Sequence, residues 1–310
     1  MFCKRKITTI VALVIIQLIS VILFSSCADN RENTNGTFSV KFIGGENGVT
    51  SLINLPDDKV VLLGGGSLDI VKDKIVNSLE TLSADNIDYL FINSPLNSGV
   101  KNAIKINDLY NISTIYKLNI LNESHFENYN HLISLDNKNI KTCVFGEVVK
   151  GDGYFLAVLS PCTNLGEQVF TSEEIAYVSP IIYLDYFGVR FLFICGETSN
   201  SFSSFLESYH SGAFNCFLSE HGKEIDLSRI DFLHILNKVA KDNKNKELFL
   251  QLQPKNAVIT TSIDSSKQNI SSLALKNLYD YSSEIAVYPC AEKDLRVSVK
   301  ENSSYSLSVK

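Results

Sequence analysis

The stretch Phe91-Ile-Asn-Ser-Pro-Leu-Asn-Ser-Gly-Val-Lys-Asn-Ala103 has the frame of a metal-binding loop: an apolar run, a polar loop, then a helical pattern. Hydrolysis at such a loop needs at least three nitrogen or carboxylate donors converging on one ion, with an open position for the attacking water. The stretch contains no histidine and no carboxylate. Outside it, His125, His131, His210 and His234 form no HxH or HxxxH spacing, and no Ser-His-Asp order suggests a serine hydrolase. The first three are expected at the surface, and His234 on the polar side of a helix. Gly44-Gly45 and Gly64-Gly65-Gly66 lack a following Lys-Ser/Thr and do not match GxGxxG. They read as strand-end turns and not as a nucleotide cradle.

The elements that must position this loop follow from hydrophobic period and turn residues. Strands are predicted over 38–43, 50–55 and 59–63, with Pro56-Asp57-Asp58 as a turn. Val71, Ile75, Leu79 and Leu82 recur at helical spacing, which predicts a helix over 68–83. A buried strand over 88–92 enters the loop, a helix over 100–109 leaves it, and 114–118 returns as a strand. The polar segment 119–139 predicts a short helix and loops. Strands then follow over 142–149 and 154–159, around the tight turn Gly151-Asp152-Gly153.

The second half has the same style. Strands are predicted over 181–187 and 189–195, a helix over 200–209 with Phe202, Phe205 and Leu206 inward, and a strand over 214–218. A helix over 227–239 would place Ile230, Leu233, Leu236 and Val239 at core spacing. A strand at 257–260, a helix at 273–281 and strands at 285–288, 295–299 and 305–309 complete the chain. Strands first and strand-helix alternation after, in each half, suit two mixed sheets packed between helix layers.

Composition sets wider bounds. A chain of 310 residues, 45% hydrophobic and 20% charged, can bury a large core. Its formal charge of -6 becomes more negative if Lys4, Arg5 and Lys6 are removed with a leader. An acidic surface repels phosphate backbones, so nucleic acid is disfavoured as a partner. Those basic residues precede an apolar run over 7–24 and then Ser25-Ser26-Cys27. The pattern resembles a bacterial lipoprotein signal in which Cys27 is lipidated, and an uncleaved signal anchor is the alternative. Either one gives a leader at 1–27, a polar tether at 28–37 and a folded domain at 38–310. Either one also puts that domain on the extracytoplasmic face of the cell membrane. Of the seven cysteines, Cys143, Cys162, Cys195, Cys216 and Cys290 fall in the domain. They form no CxxC pair, and one disulfide among them stays open.

The domain resembles the metallo-β-lactamase-fold hydrolase domain related to the competence protein ComEC. That family's opening FIDVGQGDSxLI is matched in frame by Phe42-Ile-Gly-Gly-Glu-Asn-Gly-Val-Thr-Ser-Leu-Ile53, and LPDGKxxLIDGG by Leu55-Pro-Asp-Asp-Lys-Val-Val-Leu-Leu-Gly-Gly-Gly66. IDYLxxTHPHADHIGG is matched by Ile87-Asp-Tyr-Leu-Phe-Ile-Asn-Ser-Pro-Leu-Asn-Ser-Gly-Val-Lys-Asn102. Later blocks resemble 178–188 with Leu192-Phe-Ile-Cys-Gly-Glu-Thr198, the DVLKVGHHGS block is placed at Asn215-Cys-Phe-Leu-Ser-Glu-His-Gly222, and PKxAVIS is matched by Pro254-Lys-Asn-Ala-Val-Ile-Thr260. The resemblance implies a four-layer αββα sandwich of the α/β class, two mixed sheets flanked by helices.

It also implies zinc or manganese in the relatives, but here the departures fall on the ligands. The HxHxDH positions are Ser94, Leu96, Ser98 and Gly99, and the carboxylates of the first two blocks are replaced by Gly44 and Gly64. Glu197, Glu220 and His221 are the remnants, expected to converge at the same edge. The expectation is a non-catalytic relative with no cofactor, binding an unidentified protein or small molecule. The alternatives are a phosphodiester or nucleic-acid hydrolase with a reduced metal site, and a structural envelope lipoprotein.

Overall fold

Phe38, Val40 and Phe42 alternate with Ser39 and Lys41, the period of a strand with two different faces. In the computed structural model Phe38–Ile43 is β1, paired antiparallel with β2 (Thr50–Asn54) and with β14 (Leu295–Val299). The structure describes residues 37–45, 48–120, 126–136, 138–161, 179–196, 200–261, 269–281 and 284–309, all within the unit Asn35–Lys310. The expected leader, the tether up to residue 36, Cys27, His125, Cys162 and Glu197 lie outside these residues.

The first sheet continues through β3 (Val60–Leu63), β4 (Ile87–Phe91), β5 (Ile112–Leu118) and β6 (Asn139–Cys143), with β15 (Tyr305–Val309) beyond β14. Its order is β15-β14-β1-β2-β3-β4-β5-β6. Pairing is antiparallel from β15 to β3 and parallel from β3 to β6. The second sheet runs β13-β12-β11-β10-β9-β8-β7. Its strands are β7 (Val148–Lys150), β8 (Tyr154–Ser160), β9 (Ile181–Tyr186), β10 (Val189–Ile194), β11 (Phe232–Leu236), β12 (Asn256–Thr260) and β13 (Ala286–Cys290). It is antiparallel from β7 to β10 and parallel from β10 to β13. The architecture is thus the expected α/β one, two mixed sheets flanked by helices.

Burial explains the layers. Phe38, Val40 and Phe42 meet the second sheet, with Phe38 stacked on Tyr186 at 4.2 Å and Phe42 beside Phe193 at 6.0 Å. Full burial of each such side chain stabilises by about 1.5–3 kcal/mol. A second cluster lies on the outer face of the first sheet, where α1 (Asp69–Leu82), α2 (Asn97–Leu109) and α3 (Glu127–Ile133) cover Ile43, Leu62 and Leu90. Helix α1 buries Val71, Ile75 and Leu79 and ends at Ser83, whose N–H donates to the Glu80 carbonyl and whose left-handed φ of 52° lets the following Ala84 N–H reach the Leu79 carbonyl at 3.0 Å.

Three predicted elements are corrected. The run 142–149 is not one strand: β6 closes the first sheet, the chain turns at Gly146 (φ 94°), and β7 opens the second. The segment 214–218 is not a strand but part of α5 (Asn215–His221), which follows α4 (Asn200–His210) and buries Phe217 against Phe145 and Phe155. The 227–239 helix is a 3-10 turn (Leu227–Arg229), then β11, then α6 (Asn237–Ala240). With parallel neighbours on both sides and both faces covered, β11 reads as a continuous apolar run that helical spacing also fits. Helix α7 (Lys246–Leu252) has no counterpart in the sequence reading, whereas α8 (Ser272–Tyr279) does. Cys143, Cys195, Cys216 and Cys290 are free thiols. Among the described residues no helix is long and apolar enough to cross a membrane.

Candidate functional site

Loops at the C-terminal ends of parallel strands are where open α/β sheets place their ligands. Here they include Gly64-Gly65-Gly66 after β3, the stretch from Ile92 to Leu96 after β4, Cys195-Gly196 after β10 and Asn237 after β11. The loop after β4 is held from inside by Asn93, only 2% exposed, whose Nδ2 donates to the Val49 carbonyl at 2.7 Å. Ser94 Oγ accepts from the Leu96 N–H at 3.2 Å, and the Gly99 N–H donates to the Leu96 carbonyl at 2.8 Å. These bonds turn the loop into α2, which starts at Asn97 and not at 100, so Ser98 and Gly99 lie in its first turn.

The positions that would carry ligands are closely packed. A Cβ at Gly99 would overlap the Ser94 carbonyl oxygen and lie 2.8 Å from Asn93 Oδ1. A Cβ at Gly64, whose φ is +69°, would lie 2.5 Å from Asn93 Nδ2 and 2.7 Å from the Val49 carbonyl oxygen. Leu96 is exposed and Ser94 and Ser98 are half-buried. Among the described residues no group of three or more His, Cys, Asp and Glu side chains could hold a metal ion. Burial pushes the Cys195 thiol up to about 12 and raises Cys143 as well, with Cys195 as a further cause. Both therefore stay protonated at neutral pH and are poor ligands or nucleophiles. The residues at the metal loop do not fit a metal ion.

Glu220 and His221 do not join this edge. They end α5, with Glu220 exposed and His221 Nδ1 3.5 Å from Lys150 Nζ. The ring of His221 lies 5.9 Å from that of Phe155. Lys150, Phe155, Asp185 and Arg190 form one row across the second sheet, at the N-terminal end of β10. The pair is thus at the opposite end of β10 from Gly196, the residue before Glu197. β11 ends at Leu236, and Asn237-Lys238 lead from it into α6. Asn237 Oδ1 accepts from the Ser271 N–H at 3.0 Å, tying that loop to the start of α8.

His234 is the residue that sequence reasoning placed wrongly. It is 0% exposed in the middle of β11, not on a polar helix face. Its Nδ1 is 3.0 Å from Ser51 Oγ in the first sheet, and its Nε2 is 2.8 Å from Thr260 Oγ1 on β12. Phe42 meets the ring edge-on at 4.9 Å. Each hydroxyl can donate or accept, so either neutral tautomer is satisfied. The sequence signal was two hydroxyl residues at the ends of apolar runs, Ser51 before Leu52-Ile53 and Thr260 after Ala257-Val258-Ile259. With no access to solvent, this group joins the two sheets and does no chemistry on a ligand.

No family model and no curated protein matches this chain in sequence. Solved structures do match in shape. The metallo-beta-lactamase fold protein YhfI from Bacillus subtilis superposes with a TM-score of 0.51 at 10% identity, over 83% of this chain and 98% of that one. CmlA, a diiron beta-hydroxylase from Streptomyces venezuelae, gives 0.49 at 8% identity over 87% and 55%. A diphosphatase from the PhnP family gives 0.41 at 10% identity over 72% and 86%. The likeness to YhfI shows that this chain has the metallo-β-lactamase fold.

Proposed function

We propose that this metallo-β-lactamase-fold chain is a non-catalytic binding or accessory protein, a degenerate relative of the ComEC-related hydrolase domain. The observation that carries the reading is the packing at Gly64 and Gly99, where ligand side chains would collide with Asn93 and the backbone that Asn93 holds. Ser94, Leu96 and Ser98 supply no nitrogen or carboxylate donor, so a water-activating metal has nothing to converge on.

The test is metal content together with turnover. The purified full chain, incubated with zinc or manganese and desalted, retains well under one metal per chain. It leaves single-stranded DNA and a bis-aryl phosphate intact. Retention of one or two ions per chain with hydrolysis that a chelator abolishes sinks the proposal and favours the hydrolase.

The same proposal places the protein at the outer face of a membrane, held through its N-terminus. It rests on Lys4-Arg5-Lys6, the apolar run over 7–24 and Ser25-Ser26-Cys27. Cys27→Ala then abolishes metabolic labelling with a radioactive fatty acid; unchanged labelling rejects lipidation.

A further inference from the structure

The outermost strand of a sheet presents unpaired N–H and C=O groups, a template on which another strand can add. Among the described residues the two sheets end on four such strands, β6 and β15 in the first and β7 and β13 in the second. Three of them carry a feature that blocks addition. β6 has the exposed Lys141 on its core-facing side, opposite Tyr116 and with Nζ 5.6 Å from that ring. β7 is three residues long and ends in Lys150. β13 contains the exposed Pro289, which has no N–H to give.

β15 has none of these. Tyr305-Ser-Leu-Ser-Val309 holds no charged residue and no proline, and it pairs with β14 residue for residue, without a bulge. All five residues are exposed. Yet the strand has an apolar face. Leu295, Val297 and Val299 on β14 are buried, and their direct partners Val309, Leu307 and Tyr305 continue the same face one strand further out. The Tyr305 ring meets Phe232 of the second sheet edge-on at 5.0 Å, and its hydroxyl oxygen accepts from Asn256 Nδ2 at 3.4 Å. Beyond that contact the face opens to solvent, with Tyr305 39%, Leu307 38% and Val309 57% exposed.

Charge and pattern together select what covers it. Two copies of a chain of formal charge -6 repel one another, so they meet best where neither carries a charge. The strand is also self-complementary. About a two-fold axis at Leu307, antiparallel pairing sets Leu307 against its own copy, Tyr305 against Val309 and Ser306 against Ser308. Each apolar side chain then faces an apolar one and each serine a serine, pairings that stabilise antiparallel strands. Because both copies use the same patch, the contact closes as a dimer and does not propagate.

We propose that β15 is the interface of a homodimer, in which the first sheets of two copies join edge to edge across a two-fold axis at Leu307. The contact is one strand pair, at the small and transient end of protein interfaces, so half-association is expected on the order of 10–100 μM. It does not depend on whether the strand-end loops are catalytic or on how the N-terminus is held.

Sedimentation equilibrium of the full chain in a mild detergent measures the association, and oxidation of cysteine variants measures the register. Leu307→Lys, at an exposed position, keeps the parental unfolding midpoint and weakens dimerisation about tenfold or more, because it sets two like charges against each other. Leu307→Cys brings two thiols face to face, with Cβ atoms about 4.5–5.5 Å apart, and gives a disulfide-linked dimer on mild oxidation beyond any seen in the parent chain. Ser306→Cys alone links far less, because its partner is Ser308; Ser306→Cys combined with Ser308→Cys restores the link. A monomer at every concentration overturns the proposal in favour of a strand supplied by another protein. A dimer that Leu307→Lys leaves unchanged lies on another face and overturns it too. Linking of Ser306→Cys alone as readily as of Leu307→Cys overturns the axis at Leu307.

Discussion

Gly99→His and Gly64→Asp, which put ligand-type side chains at two closely packed positions, are expected to lower the unfolding free energy by about 1–3 and about 2–4 kcal/mol respectively and to create no metal site. At Gly99 the new Cβ overlaps the Ser94 carbonyl, a backbone atom fixed by the loop's own hydrogen bonds. Overpacking of this kind costs about 1–3 kcal/mol because the neighbours cannot all give way. At Gly64 the cost has two parts. A side chain at φ +69° adds about 1–2 kcal/mol of backbone strain, and the close approach to Asn93 Nδ2 and the Val49 carbonyl adds overpacking. Ser94→His, at a half-buried position, is the control and costs about 1 kcal/mol or less. Urea unfolding of the three variants at one pH separates these cases. If Gly99→His and Gly64→Asp match Ser94→His in stability, the loop is not closed and the pseudoenzyme proposal loses its main support.

The strands with one dissimilar face are legible in the sequence because their two faces meet different neighbours. Phe38, Val40 and Phe42 enter the central core, while Ser39 and Lys41 look out toward α1. The turn at Pro56-Asp57-Asp58 and the helix with Val71, Ile75 and Leu79 are legible for the same local reason. What fails is the part decided by the second sheet. The residues Phe214-Asn-Cys-Phe-Leu218 look like a buried strand, yet only Phe217 and the preceding Phe214 are buried, and a helix places both against Phe145. That misreading put Glu220-His221 at the end of a strand, whereas they end a helix beside Lys150, at the opposite end of β10 from the strand-end loops. The closed packing at Gly64 and Gly99 is invisible in the sequence, where a glycine shows only what is missing and not what fills the space.

Replacing His234 is expected to change the pH dependence of stability as well as its size. Burial holds the imidazole at about 3, against 6.5 for an ordinary histidine. Below pH 6.5 the unfolded chain takes up a proton that the folded chain does not. Stability is therefore lost as pH falls from 6.5 toward 3, by about 1.4 kcal/mol per pH unit, and this contribution is flat above 6.5. His234→Gln keeps an amide able to reach Ser51 and Thr260 but does not titrate. At pH 7.5 it is less stable than the parent by about 1–3 kcal/mol, from imperfect replacement of two buried hydrogen bonds. Between pH 6.5 and 4.5 the parent loses stability faster than the variant, so the gap closes by roughly 2–3 kcal/mol. Carboxylates that titrate in that range are common to both proteins and cancel in the difference. Parallel stability curves for parent and variant over that interval would show that His234 takes up its proton in the folded state too, and that the joint between the two sheets is open to water.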